Sequence, residues 1–331
     1  MTAPLRAGLV GVGMMGRNHA RVLASLEGVD LVAIADPGGD RHQVAGGREV
    51  LGSVEELIAV GVDYVVVACP TAFHLEVGLA LAETGVHALV EKPLADTGVG
   101  ARQLADAFDA AGLVGAVGHI ERYNPALQNA RRRLEEGELG EVYQVVTRRQ
   151  GPLPGRIVDV GVVKDRATHD IALTAWVTQR PFVSVAAQTA HLSGRPHEDL
   201  VAFVGSLEGG VVTSHLINWL SPMKERVTVI TGARGAFVAD TLTADLTFFG
   251  NGKVASEWGE MARFRGVSEG DMIRFAIPKP EPLRTEHEQF RDAVLGLDAD
   301  IVTMRQGLRT VEVAEAVLES AATGLTVAVA P

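Results

Sequence analysis

Apolar and polar positions change rhythm once along the chain, near residue 120. Before it, short β-branched apolar runs alternate with stretches whose apolar residues recur at helical spacing, the pattern of βαβ units on a doubly wound parallel sheet. The runs predict strands at Ala7–Gly11, Leu31–Ala35, Tyr64–Ala68, Ala88–Val90 and Val114–Val117. Helices are predicted over Met14–Leu26, Val54–Ala59, His74–Thr84 and Gly98–Ala111. Pro37–Gly52 carries five glycines and a proline, so the second crossover is expected to lack a full helix. Beyond residue 120, Asn124–Glu136 reads as a helix. Strands then follow one another at Glu141–Arg149, Val183–Ala190, Asp199–Leu207, Gly210–Trp219, Glu225–Thr231, Ala236–Asp240 and Leu242–Phe249. Tight turns such as Glu208-Gly209-Gly210 make that sheet mostly antiparallel. Helices are predicted near Arg166–Val177, Glu286–Leu295 and Gln306–Thr323. The pattern gives two domains, an α/β domain over 1–120 and an α+β domain with an open sheet over 121–331.

Composition removes whole classes of function. With 331 residues, 47% of them hydrophobic and 21% charged, the chain can fill two ordinary cores. Its one cysteine, Cys69, lies in an apolar run and excludes a disulfide framework and a zinc cluster. No metal is expected. No stretch approaches the ~18 apolar residues of a membrane span. The start, Met-Thr-Ala-Pro-Leu-Arg, carries no signal-peptide pattern, so a cytoplasmic protein is expected. The net charge of −11, from 41 acids against 30 bases, speaks against nucleic acid and anionic membranes as partners. Arg131-Arg132-Arg133, followed by Glu135 and Glu136, reads as a solvated helix face.

One glycine run points to a nucleotide. Gly11-Val12-Gly13-Met14-Met15-Gly16 follows a predicted strand and opens a predicted helix, the setting in which G-x-G-x-x-G holds a pyrophosphate at a helix N-terminus in a Rossmann domain. Asp36 ends the next strand, where a carboxylate accepts the ribose hydroxyls. A carboxylate ~4 Å from a 2′-phosphate costs on the order of 4 kcal/mol per charge pair at an effective dielectric of about 20, so NAD is expected over NADP. Arg41 reads as a surface arginine or as a partner for that phosphate.

Two further clusters bear chemistry. Glu91-Lys92-Pro93 follows a strand at the carboxyl edge of the sheet, where a lysine can meet a substrate hydroxyl and where the proline suggests a cis bond; a surface lysine before a turn is the competing reading. Asp165 and His169 are four apart in a predicted helix, which sets a carboxylate beside an imidazole able to take a hydroxyl proton. The sequence equally permits Asp165 as an N-cap and His169 as a core histidine.

Taken in order, Gly11–Gly16, Cys69-Pro70-Thr71 with His74, Glu91-Lys92-Pro93, the run Gly118-His119-Ile120-Glu121-Arg122-Tyr123-Asn124-Pro125, and Asp165 with His169-Asp170 resemble the Gfo/Idh/MocA oxidoreductases over nearly the whole chain. The resemblance implies NAD(P) as cofactor, sugars or cyclitols as substrates, and a C-terminal sheet used to form a homodimer or homotetramer. It makes Lys92, Asp165 and His169 the catalytic set, and lines the cofactor with Cys69, Pro70, Thr71, His74 and Glu91. Glu121 and its neighbours, with the run 148–163, resemble the branch that oxidises C3 of UDP-N-acetylglucosamine; related branches act on aminoglycoside precursors. The short Pro37–Gly52 segment departs from the family's usual full helix.

The expected reaction is therefore oxidation of a secondary ring hydroxyl to a 3-keto sugar. His169 would take the proton, Asp165 orient it and Lys92 stabilise the alkoxide, with the formal base left open between Lys92 and His169. Lys92, Glu121, Arg148, Arg149, Arg156, Lys164, Asp165 and His169 are the candidate substrate contacts. A diphosphate would want the arginines, and a cationic amino sugar would want Glu121 and Asp159. A non-catalytic NAD-binding sensor and a hydrolase working through transient oxidation are the competing functions.

Overall fold

The computed structural model describes residues 3–40, 43–153, 160–252 and 270–330. Two compact units are present: Met1–Ile120 with Glu281–Glu315, and Glu121–Pro280 with Ala316–Pro331.

The first unit runs β1 (Leu5–Val10), α1 (Met14–Leu23), β2 (Val29–Ala35), β3 (Val50–Leu51), α2 (Val54–Ala59), β4 (Tyr64–Val67), α3 (His74–Glu83), β5 (His87–Glu91), α4 (Gly98–Ala110) and β6 (Gly115–Gly118). The strands form one sheet in the order β3-β2-β1-β4-β5-β6, and every pair is parallel. Helices cover both faces, so strands need no alternation: Tyr64, Val65, Val66 and Val67 are all fully buried. Side chains set the helix starts. Ser53 accepts the Glu56 N–H at the head of α2, and Thr97 accepts the Gly100 N–H at the head of α4. Among the described residues no helix links β2 to β3; Asp40 instead takes the N–H groups of Val44 and Ala45.

A single boundary at residue 120 does not describe this unit, because a late segment returns to it. α7 (Pro282–Val294) begins four residues before the expected Glu286, since a proline at the first helical position forfeits no hydrogen bond. Phe290 packs edge-on against Tyr64 with ring centres 5.4 Å apart. Beyond it Val117 N–H donates to Val302 O at 2.8 Å, and Thr303 bridges Ala116.

The second unit contains α5 (Pro125–Glu135), β7 (Val142–Gln150), α6 (Thr168–Thr178) entered through a π-turn (Val163–Ala167), then β8 (Phe182–Ala190), β9 (Leu200–Leu207), β10 (Val212–Asn218), β11 (Glu225–Gly232), β12 (Gly235–Asp240), β13 (Asp245–Gly250), β14 (Met272–Arg274) and β15 (Val327–Ala328). α8 (Met304–Thr323) has its residues through Glu315 in the first unit and the rest in the second. The nine strands run β14-β13-β12-β11-β7-β10-β9-β8-β15, antiparallel except for the β7–β10 pair. α5 and α6 lie against one face, which buries Val145, Thr147 and Arg149 of β7, His215 of β10 and Thr228 of β11. Arg148, Val204 and Val212 stand on the other face, more open to solvent. Arg132 makes the expected surface pair with Glu136, but Arg131, though paired with Glu135, is buried and also donates to Trp176 O, so the solvated-face reading fails there.

Candidate active site

The first unit's candidate site lies at the carboxyl ends of β1 and β4, where the strand order reverses and ligands of such sheets bind. Two of the three glycines there answer to packing. A Cβ on Gly11, whose φ is +92°, would fall 2.6 Å from Cys69 N, and one on Gly16 would fall 1.9 Å from Gly11 O. Gly13 is different, for a Cβ there would meet nothing within 4 Å. Its open side is where a ligand's phosphate can approach the backbone. α1 starts there without a side-chain cap or an acid in its first turn, so its N–H groups and positive dipole end suit an anion. Met14 beside it is largely exposed.

Asp36 is already oriented by this loop. Its Oδ2 accepts the Val12 N–H at 2.9 Å and its Oδ1 the Gly38 N–H at 2.7 Å. A carboxylate has about four acceptor positions, so ribose hydroxyls still find room. These residues fit NAD: an open anion cradle, an uncapped helix end and a carboxylate held beside them.

Behind the cradle, His74 ties two loops together. It is buried, with Nδ1 2.9 Å from Pro93 O and Nε2 3.0 Å from Cys69 O. Burial lowers its pKa, and a neutral ring donates to one carbonyl at a time. His74 thus braces the Cys69-Pro70-Thr71 loop against the Lys92–Pro93 peptide, which is cis. Glu91 is buried too and reaches inward: Oε1 lies 2.9 Å from His19 Nε2, and Oε2 accepts the Lys92 N–H at 3.0 Å. Burial opposes its ionisation, but His19 and Lys92 outweigh that and hold its pKa low. Burial pushes the Cys69 thiol up to about 11.

In the second unit the expected α-helical spacing of Asp165 and His169 is replaced by a π-turn. Thr168 N–H reaches back to Val163 O, so Asp165 lies inside a wider turn and is not an N-cap. Its N–H donates to Gly161 O at 3.1 Å. His169 is half-buried between the buried Thr168 and Asp170, so it is no core histidine. Lys164, in the same turn, is half-buried. Arg166 braces the turn, donating to the carbonyls of Gly151, Pro152 and Asn218.

The arginines and the glutamate expected to grip substrate mostly grip one another. Arg149 is 4% exposed; its Nε donates to Asp170 Oδ2 at 2.7 Å and its Nη1 to Glu121 Oε1 at 3.0 Å. Arg226 Nη1 reaches the same Glu121 oxygen at 3.0 Å. Burial opposes ionisation of Glu121, yet the two guanidiniums together hold its pKa below the ordinary value. Asp170 is raised, because burial outweighs its single arginine. Arg149 and Glu121, expected as substrate contacts, are thus buried and paired with one another, although Glu121 Oε2 has no hydrogen-bond partner. Arg148 pairs across the strands with Glu225 at 2.8 Å and is half-exposed. Arg156 and Asp159, like Arg41, lie outside the described residues.

The sequence reading missed Arg226 and Phe73. Arg226 stands opposite Arg149 in the β7–β11 register, a pairing no local pattern reveals. Phe73, half-exposed just before α3, is an apolar side chain at the ligand-binding edge. Among the described residues there is no group of three or more His, Cys, Asp or Glu able to hold a metal, and no helix is long and apolar enough to cross a membrane.

A parallel sheet with an anion cradle at its switch point defines a nucleotide-binding architecture. Residues 5–119 match the oxidoreductase family NAD-binding Rossmann fold, and residues 127–238 the GFO/IDH/MocA C-terminal domain. The chain belongs to the Gfo/Idh/MocA oxidoreductase family. It is 32% identical over 186 residues to UDP-N-acetylglucosamine 3-dehydrogenase of Acidithiobacillus ferrooxidans, a match covering 55% of this chain and 57% of that protein. A solved structure of the enzyme of that name from the same organism superposes with a TM-score of 0.85 at 25% identity, over 96% of this chain and 98% of the other. The scyllo-inositol 2-dehydrogenase of Bacillus subtilis is 31% identical over 199 residues, 56% of this chain and 57% of that one. The structure of GenD2 from gentamicin A biosynthesis, in complex with NAD, superposes with a TM-score of 0.83 at 27% identity over 100% of this chain and 98% of the other. The chain's sequence matches thus span little more than half the length of these two curated relatives.

Proposed function

We propose that the protein is an NAD-dependent dehydrogenase that oxidises a secondary ring hydroxyl, at C3 of a hexopyranosyl nucleotide sugar such as UDP-N-acetylglucosamine or UDP-glucose. The observation that carries the nucleotide part is the open side of Gly13 at the uncapped start of α1, with Asp36 fixed beside it. Bound NAD supplies the two-electron acceptor. His169 takes the hydroxyl proton, Asp165 steadies the charged ring, and Lys92 stabilises the developing alkoxide. The likeness to UDP-N-acetylglucosamine 3-dehydrogenase supports the nucleotide sugar. The two guanidiniums of Arg149 and Arg226 beside Glu121 count against an amino sugar, whose ammonium they would repel there.

A screen of nucleotide sugars, aminoglycosides and inositols with NAD, read as NADH formed under anaerobic conditions, tests this. NADH accumulating with a nucleotide sugar is the expected result. Turnover of an aminoglycoside or an inositol alone overturns the substrate class, and a protein that binds NAD but reduces none with any of them is a sensor or a hydrolase. His169→Ala and Lys92→Ala should each lower turnover ~100-fold or more while NAD affinity holds. A variant that loses NAD binding together with activity refutes the role given to that residue.

A further inference from the structure

Four ionisable side chains lie buried together in the first unit beside the peptide that carries Lys92. His19 comes from α1, Glu91 from the end of β5, and Glu286 and His287 from α7; each is at most 8% exposed. Glu91 takes the Lys92 N–H on one oxygen and faces His19 Nε2 with the other. On the far side of that ring His19 Nδ1 lies 2.9 Å from His287 Nε2. The line from the Lys92 amide through Glu91 and His19 to His287 is unbroken. β6 closes in beside it, for a Cβ on Gly118 would lie 3.1 Å from the Glu91 carboxyl carbon.

Counting protons along the line fixes its direction. An ionised Glu91 only accepts, so His19 presents Nε2–H to it. At the far end His287 Nδ1 is buried without a hydrogen-bond partner, and a buried orphan N–H is rarer than a buried orphan acceptor, so the His287 proton sits on Nε2 and is donated to His19 Nδ1. Burial, with Arg284 nearby, holds the pKa of His287 well below its ordinary value. Glu286, next to His287 in sequence, is buried with neither carboxyl oxygen hydrogen-bonded, and burial together with the charge of Glu91 raises its pKa. The titratable and charged groups bearing on the cluster are Lys92 beside Glu91, His74 on α3, and Arg284 on α7.

We propose that His19 and His287 are positioning residues: they hold the Glu91 carboxylate from behind and, through its bond to the Lys92 amide, fix the peptide on which the lysine stands. This rests on Lys92 acting at the substrate hydroxyl, so the test is built to read the relay without any substrate. Histidine nitrogen NMR of the full-length ¹⁵N-labelled protein should show His19 and His287 as Nε2–H tautomers. In Glu91→Gln the side-chain oxygen must serve the Lys92 amide, leaving an NH₂ group toward His19. His19 and then His287 should both switch to Nδ1–H. A packing role alone would not move a proton on His287, two links away. In parallel, the lysines carry ¹³C-methyl labels, with Lys92 assigned by the signal lost in Lys92→Arg. In His287→Gln the Lys92 resonance should be displaced while those of the other four lysines stay. An unchanged His287 tautomer in Glu91→Gln, or an unmoved Lys92 resonance in His287→Gln, overturns the proposal. Failure of the sugar screen overturns the functional reading instead and leaves these spectra to decide the relay.

Discussion

Replacing Arg149 by methionine removes the one cation that binds Asp170 and one of two that bind Glu121. Methionine keeps much of the volume, so the change isolates charge. Because the pair is almost wholly buried, no solvent screening softens the loss. Breaking a buried ion pair from one side costs about 3–5 kcal/mol. For a unit of this size each kcal/mol lowers Tm by roughly 2–4 °C, so Arg149→Met should melt roughly 6–20 °C below the parent. The pH dependence has a definite sign. Asp170 is already raised by burial, and without Arg149 it is raised further. A carboxyl raised in the folded state gives stability that is full below its unfolded value and is lost as pH rises through the folded one. The deficit should therefore be larger at pH ~8 than at pH ~5, and Asp170→Asn added to Arg149→Met should recover part of it. Thermal unfolding followed by circular dichroism at the two pH values checks both statements. An Arg149→Met protein that melts within a degree or two of the parent and shows only a raised KM would make Arg149 a substrate contact and refute the argument from burial.

NAD should be preferred over NADP by ~100-fold or more, about 2.8 kcal/mol, and Asp36→Ala should narrow that gap while loosening the glycine loop whose Val12 N–H it accepts; equal catalytic efficiency with both cofactors would sink this. Cys69, the only thiol, should alkylate with a midpoint near pH 11, and rapid labelling near pH 8 would contradict its burial. His215, pushed down to about 3 by burial, gives stability that is full above its ordinary value of 6.5 and lost as pH falls toward 3; His215→Gln should flatten that limb of the stability profile, and parallel profiles would count against it. The sheet face bearing Val204 and Val212 should be covered in a homodimer or homotetramer, which light scattering showing only a 35.0 kDa monomer at micromolar concentration would refute.

The first unit was legible because its signals are local. The run Tyr64–Val67 is apolar throughout, as a strand covered on both faces must be, and Gly11–Gly16 sits where strand turns into helix. The short β3, β14 and β15 escaped, since two or three residues carry no period, and the Met272–Arg274 strand is exposed along its length. The site was harder to read. Arg148 and Arg149 are adjacent in sequence but lie on opposite faces of β7, and only the register with β11 brings Arg226 opposite Arg149. The π-turn was invisible for a similar reason, because Asp165 and His169 are four apart whether the turn is α or π.

The return of residues 281–315 to the first unit sets a timetable for biosynthesis. When Ile120 leaves the ribosome, Tyr64 still lacks the ring of Phe290, His19 lacks His287, and β6 lacks the pairing that Val302 and Thr303 supply. At about 5–20 residues per second, those partners arrive on the order of ten to forty seconds later. Until then the nascent nucleotide domain carries an unfilled apolar flank, a natural landing place for a chaperone. A cut at residue 120 made to graft this cofactor module elsewhere would make that transient state permanent.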